Sequence, residues 1–322
     1  MSYLSAPGSV AAPAEDQSVR RPLEKRALIV LNPCAGRGRA RKVSDSLPAL
    51  ARELGWEVEQ QATCEAGHEV ELAAQAKRDG WPVVIAVGGD GTVHGVVNGL
   101  LSEGPCDTVL AHVPVGTGND FAKTVKLNKA RAAGHNLGQV LAGRVLRFDV
   151  GRALGEYFVN SMGIGFAAAA AHNLRKCKKL KGFAAYVATV YRTFLSFKAP
   201  ELELRSREHH ERGQILMVEI ALGKTTGGGF TVTPDADPCD GLLDVCLIRD
   251  VGMLTFLRYV PRVIRGTHVG LWPVKVFRTR RAELESLSGP SLVHLDGEVR
   301  FSGAASVAVE IVPGCLPVLC AG

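Results

Sequence analysis

Asp90, Asp120 and Asp296 each lie within two residues of a glycine, at points where an apolar run ends. Asp90 sits in Val87-Gly88-Gly89-Asp90-Gly91-Thr92, Asp120 closes Gly116-Thr117-Gly118-Asn119-Asp120, and Asp296 with Glu298 flanks Gly297. Carboxylates placed this way can hold a divalent cation or take the proton of an attacking hydroxyl. Glycines between a strand and a helix bare backbone N–H groups at the positive end of a helix dipole, which suits phosphate. A third such turn runs from Asn32 to Lys42 and adds the cations Arg37, Arg39, Arg41 and Lys42. It is not a P-loop, because GxxxxGK[ST] is absent. Taken singly, each feature has an ordinary reading. An Asp between glycines is a turn residue, Thr117 can cap a helix, Asp120 can complement a dipole, and Asp-Gly favours a hairpin. Their concentration at the ends of apolar strands favours one shared site.

The elements that must position these residues fall into two textures. Up to Asp149, strand patterns (27–32, WEVEQQAT, 82–87, TVLAHVPV) alternate with helical ones, including Ala40–Leu54 and Val70–Lys77. That order predicts a doubly wound, Rossmann-like parallel sheet with its ligand beyond the carboxyl ends of the strands. After Asp149 short strands dominate, interrupted by helical segments near Phe166–Arg175, Ala184–Phe197 and Met253–Arg265, which predicts a mostly antiparallel β-sandwich domain. The expected division is a disordered tail over 1–26, an α/β domain over 27–149 and a sandwich over 150–322.

The 46% apolar and 22% charged composition supplies two ordinary cores. The net charge of +6 suits an anionic ligand or membrane surface. None of the eight cysteines forms CxxC, which leaves zinc and dithiol chemistry unsupported and fits reduced thiols in a cytoplasmic protein. The N-terminus lacks an apolar signal-peptide core, and the apolar stretch 184–197 is too short to span a bilayer. Membrane contact would be peripheral. Arg175, Lys176, Lys178, Lys179 and Lys181, and the face Arg258, Arg262, Arg265, are candidates for it, although a solvated face is the commoner meaning of such runs. No nucleic-acid motif accompanies them.

In this order and spacing, NPCAGRGRA, GGDGT and GTGNDFA, followed by GGGFTVTPDADPCDGLLDV (227–245) and HLDGE, resemble the diacylglycerol kinase catalytic-domain family. That family includes bacterial soluble lipid kinases and is related to sphingosine and ceramide kinases; GGDG alone is shared with NAD kinases and phosphofructokinases. The resemblance covers 27–312. It implies an NAD kinase/diacylglycerol kinase-like fold, with ATP and Mg²⁺ between the two domains. The implied activity is phosphorylation of a lipid hydroxyl, diacylglycerol foremost. A sphingoid base, ceramide or another lipid alcohol is the alternative acceptor, and a silent nucleotide- or lipid-binding regulator the alternative class. The implied partners are a lipid at a membrane surface and, as an option, a second copy of the chain.

Nucleotide contacts carry over to Asn32, Pro33, Cys34, Ala35, Gly36, Thr63, Gly89, Asp90, Gly91, Thr92, Val93, His94, Gly95 and Thr117. The family's basic pair falls on Arg37 and Lys42, and its acidic Mg²⁺ and water network on Asp90, Asp120 and Asp149. A second Mg²⁺ site matches Asp237, Asp240 and the backbone at Leu242. Asp296 takes the position of the proton acceptor with Glu298 beside it, and Asp90 is the rival base. Many members read GGDGTLNEVVNG, so here His94 and Gly95 replace an asparagine and a glutamate. Arg37 and Lys42 reverse the expected lysine and arginine.

Overall fold

The computed structural model describes residues 23–127, 131–176, 182–301 and 306–322. Three runs of mainly branched aliphatic residues form β1 (Arg26–Leu31), β3 (Val83–Gly88) and β4 (Val109–Pro114). β3 and β4 are buried throughout, as strands covered on both faces must be. β2 (Glu57–Ala62) buries only Val58 fully and takes the edge. All four pair in parallel in the order β2-β1-β3-β4. The helices of this half are α1 (Ala35–Gly38), α2 (Ser46–Glu53), α3 (His68–Arg78), α4 (Asp90–Leu101), α5 (Asp120–Thr124) and α6 (Ala133–Leu141).

The single helix expected over Ala40–Leu54 is broken into a 3₁₀ turn, Ala40–Val43, and α2. Pro48 gives the reason. It has no N–H for the carbonyl of Ser44, and its ring would clash there, so the helix can only begin just ahead of it.

The second half contains β5 (Arg144–Ala153), β6 (Glu156–Phe158), β7 (Ser161–Gly165), α7 (Phe166–Lys176), α8 (Gly182–Ser196), β8 (Glu201–Ser206), β9 (His210–Ala221) and β10 (Leu243–Arg249). It continues with α9 (Met253–Arg265), β11 (Val274–Thr279), β12 (Arg281–Ser286), β13 (Leu292–Leu295), β14 (Glu298–Phe301) and β15 (Ser306–Cys320). Apart from one bridge to β4, every strand pairing here is antiparallel. β12 was not expected, although Ala282, Leu284 and Ser286 point inward at strand period.

β15 joins the halves. Its start pairs with β12, Val309–Val312 and Leu316–Cys320 pair with β5, and Val318 bridges to Leu110 of β4. Cys315, Leu316, Val318 and Leu319 therefore pack in the core of the α/β half. The division at Asp149 falls inside β5, and the last residues of the expected sandwich segment return to the first core. The tail expected over 1–26 lies mostly outside the described residues.

Candidate functional site

Three loops at the carboxyl ends of β1, β3 and β4 are stitched together by side chains. Asn32 accepts from the Cys34 N–H (3.0 Å) and donates to Thr92 Oγ1 (3.1 Å), tying the first loop to the second. Arg39 donates to the carbonyls of Gly36, Val115 and Gly116, at 3.2, 3.1 and 2.9 Å, tying the first to the third. The cleft they border is lined by Asn32, Ala35, Gly36, Gly89, Gly91, Thr92, His94, Gly95 and Gly116, with Glu69, Asn98, Glu156, Glu298 and Arg300 completing its walls.

Several expected contacts lie elsewhere. Val93 is fully buried in the core, because it faces the sheet from α4. Thr63 is buried and donates its N–H to the Leu31 carbonyl as the chain leaves β2. Thr117 is exposed and is no helix cap; α5 begins later, with Asn119 as its N-cap in the left-handed region (φ 52°). Pro33, Cys34, Arg37 and Lys42 line a neighbouring surface pocket with Gly38 and Arg41. The backbone turns left-handed at Gly36 and Arg37 (φ 61° and 62°), and Arg39 is the cation that reaches the loops.

The acidic centre forms around Gly118. A Cβ on that glycine would stand 2.8 Å from Asp90 Oδ2 and 3.8 Å from Asp120 Oδ2, so a side chain here would crowd the Asp90 carboxylate. Asp90 Oδ1 accepts the Phe121 N–H at 3.1 Å. Burial and then the charge of Asp120 raise the Asp90 carboxyl to about 7. Asp120 is held by Lys123 Nζ (2.7 Å), Thr225 Oγ1 (3.0 Å) and the Gly228 N–H (2.7 Å). Glu298 reaches in from β14, its Oε1 2.7 Å from where a Cβ on Gly91 would sit.

Asp296 enters on the β13–β14 hairpin. Asp296 and Gly297 both have positive φ (50° and 83°), the conformation of a two-residue type I′ turn, so the turn and site readings of Asp-Gly hold together. Its Oδ1 accepts the N–H groups of Asn160 (2.8 Å) and Ser161 (3.1 Å), and its Oδ2 accepts that of Val159 (3.1 Å). The fourth donor is His94 Nδ1, 3.1 Å from Oδ2. Across the ring, His94 Nε2 lies 3.0 Å from Glu156 Oε2, and Arg300 grips Glu156 with two bonds of 2.8 and 2.9 Å. Burial lowers the His94 pKa, but the two carboxylates outweigh it and raise the imidazole to about 9. Hydrogen bonds from His94 and Arg300 take Glu156 down to about 2. An imidazolium between two carboxylates thus anchors α4 to the hairpin. Sequence reasoning missed Glu156 and Arg300; Arg300 follows the DGE segment by two residues, whereas nothing around Glu156 marks it.

Asp149 is not part of this centre, which corrects its expected grouping with Asp90 and Asp120. It lies where β5 passes the 237–242 loop, and its oxygens accept the N–H groups of Gly241 and Gly314, both at 2.7 Å. Burial raises it, and the charges of Asp240 and Asp237 add to the rise. Asp237 and Asp240 curl back onto the Cys239 and Leu242 N–H groups (both 3.0 Å), so the Leu242 backbone serves the loop through its N–H. Among the described residues no group of three or more His, Cys, Asp or Glu side chains is arranged to hold a metal ion.

Behind the acidic centre lies an apolar cavity lined by Phe166, Ala170, Val190, Leu216, Phe230, Phe256 and Val260, among others. Thr226 also lines it, and its Oγ1 lies 3.4 Å from Ser161 Oγ, next to the N–H that Asp296 accepts. α9 turns Phe256 and Val260 inward and leaves Leu254 (84% exposed), Arg258 and Arg265 outside. Arg262, expected on that outer face, is half-buried with its guanidinium over the Tyr259 ring. The basic run at 175–181 falls largely outside the described residues. Among those described, no helix is long and apolar enough to cross a membrane.

The chain matches the diacylglycerol kinase catalytic domain over residues 26–153 and the YegS C-terminal NAD kinase beta sandwich-like domain over 160–320. It is 29% identical over 280 residues to a diacylglycerol kinase of Bacillus subtilis, covering 85% of this chain and 90% of that one. It is 32% identical over 308 residues to a protein of Pseudomonas savastanoi pv. phaseolicola described as a YegS-like lipid kinase, covering 92% and 93%. In fold it resembles a diacylglycerol kinase structure from Bacillus anthracis (TM-score 0.72, 18% identical, covering 93% and 98%). An NAD kinase structure from Archaeoglobus fulgidus is more distant (TM-score 0.51, 14% identical, covering 91% and 93%). With both halves matched in order and a 32% identical relative spanning nearly its whole length, this chain belongs to the diacylglycerol kinase catalytic-domain family.

Proposed function

We propose that the protein transfers the γ-phosphoryl group of ATP to the hydroxyl of a lipid, with diacylglycerol as the acceptor and phosphatidic acid and ADP as products. The observation that carries this reading is the neighbourhood of two pockets and the carboxylates. A glycine-lined polar cleft includes His94, which is bonded to Asp296, and Gly91, which Asp90 precedes, while Thr226 of the apolar cavity contacts Ser161, whose N–H Asp296 accepts. The names of its relatives support the acceptor class.

In the proposed reaction the lipid oxygen bonds to the γ-phosphorus as the bond to the β–γ bridging oxygen breaks. The lipid proton passes to a carboxylate. Asp296 fits that role with one condition. All four of its acceptor positions are engaged, three by backbone N–H groups and one by His94. His94 is the only side chain among the four, so it is the donor that can give way to the substrate hydroxyl.

Asp90 and Asp120 suit a Mg²⁺ ion that arrives with the triphosphate. Burial and its neighbour's charge raise the Asp90 carboxyl, and an adjacent cation favours its ionised form against both. With no ready-made cage among the described residues, water and phosphate oxygens would complete the coordination, which is usual for Mg²⁺. Bound there, the ion would offset charge developing on the phosphates. A second, stabilising cation at the 237–242 loop would rest on Asp237 and Asp240 with backbone and water oxygens completing its shell, since among the described residues no three-carboxylate cage is formed there. α9, with leucine and arginine outside and aromatic residues on the cavity, suits peripheral docking on an anionic bilayer.

The test is transfer of label from γ-labelled ATP to a panel of diacylglycerol, monoacylglycerol, sphingosine and ceramide in mixed micelles. Labelled phosphatidic acid is expected. Label in another product would overturn the acceptor, and no labelled lipid at all would overturn the kinase reading.

A further inference from the structure

α4 carries Gly95 and Gly99 in the interior of a helix, where each glycine costs about 1 kcal/mol relative to alanine. At Gly99 close packing explains the residue, because a Cβ would lie 2.2 Å from the Val70 carbonyl oxygen of α3. At Gly95 the obstacle is different. A Cβ there would lie 2.3 Å from Cγ and 2.7 Å from Oε1 of Glu69. A side chain, not a backbone, occupies the space, and Glu69 is one of the residues lining the cleft. Glu69 belongs to the first turn of α3 and is half-buried, and no described residue hydrogen-bonds its carboxylate.

We infer that Glu69 is a nucleotide-binding residue that has taken over, from α3, the carboxylate expected on α4 at position 95. This rests on the ATP-binding reading above. A carboxylate in a triphosphate cleft repels the phosphates, so it serves the uncharged hydrogen-bond donors of the nucleoside, the ribose hydroxyls or the base amine. It stands against Gly95, while residues of the glycine loops are also part of the cleft lining. Glycine at position 95 leaves free the space that the Glu69 side chain occupies.

The experiment compares binding of Mg·ATP with binding of Mg·tripolyphosphate, which lacks the nucleoside, by calorimetry on the full chain. Glu69→Ala should weaken ATP about tenfold or more, the worth of one hydrogen bond to a charged group, and leave tripolyphosphate unchanged. Glu69→Gln should fall between them, and it serves as the readout if the alanine variant melts early. Moving the carboxylate back, in Glu69→Ala combined with Gly95→Glu, should restore ATP preference, whereas Gly95→Glu alone should lose it. 2′-Deoxy-ATP, 3′-deoxy-ATP and purine riboside triphosphate then identify the donor, since the nucleotide lacking it should be insensitive to Glu69. Equal weakening of ATP and tripolyphosphate, or no recovery in the double variant, would overturn the assignment. If the unaltered protein bound neither ligand, the underlying ATP reading would fail instead.

Discussion

Replacing His94 by asparagine tests the Glu156–His94–Asp296 bridge through its pH dependence. The imidazole rises from its ordinary 6.5 to about 9, because two carboxylates outweigh its burial. Between those values the folded protein holds a proton that the unfolded chain releases. The stabilisation is therefore complete below about pH 6.5, declines as pH rises, and is gone above about 9. At ~1.4 kcal/mol per pH unit it amounts to about 3 kcal/mol, an order-of-magnitude figure that applies because His94 is only 5% exposed. Asparagine can still donate to Asp296 but carries no charge, so it has no such slope. Urea unfolding of both proteins from pH 6.5 to 9.5 gives the measurement, with the other titrating groups common to both. The free-energy gap between unaltered protein and variant should shrink by about 3 kcal/mol across that range. A constant gap would mean that His94 is neutral in the folded state, and the ion-bridge reasoning would be wrong.

Asp296→Asn keeps the Asn-Gly hairpin preference but turns an N–H toward a donor now bonded to Oδ2. Turnover should fall at least a hundredfold with a stability loss of about 1–3 kcal/mol; near-normal turnover would move proton acceptance to another carboxylate. Gly118→Ala puts a methyl group 2.8 Å from Asp90 Oδ2 and should weaken Mg·ATP about tenfold, a loss of the order of one charge-assisted contact. Unchanged affinity would separate the Asp90–Asp120 pair from nucleotide binding. EDTA should lower the melting temperature of the unaltered protein more than that of Asp240→Ala, and equal shifts would reject a cation at the 237–242 loop.

Much of the site was legible because the chemistry is local. Gly89, Gly91 and Thr92 sit where a fully apolar strand gives way to a helix, and that pattern alone marks a strand-end ligand loop. For Arg37 and Lys42, charge and loop position do not reveal side-chain direction. The left-handed backbone at Gly36 and Arg37 sets that direction, and Arg39 reaches the neighbouring loops instead. The ordinary reading of Thr117 as a helix cap does not hold, since the cap position depends on where the helix starts in space.

The sequence alone determined the alternating first half, the strand-rich second half and the three aspartates of the centre, because strand period, apolar runs and glycine turns are short-range properties. Tertiary structure alone decided which distant carboxylates meet. It placed Asp149 with the 237–242 loop, bonded through Gly241 and Gly314, and assembled Glu156, His94, Asp296 and Arg300 from three separated segments. Those pairings follow from the path of β5, the β13–β14 hairpin and the return of β15 to the first sheet. No local pattern encodes such a path, because it is set by how two cores share their strands.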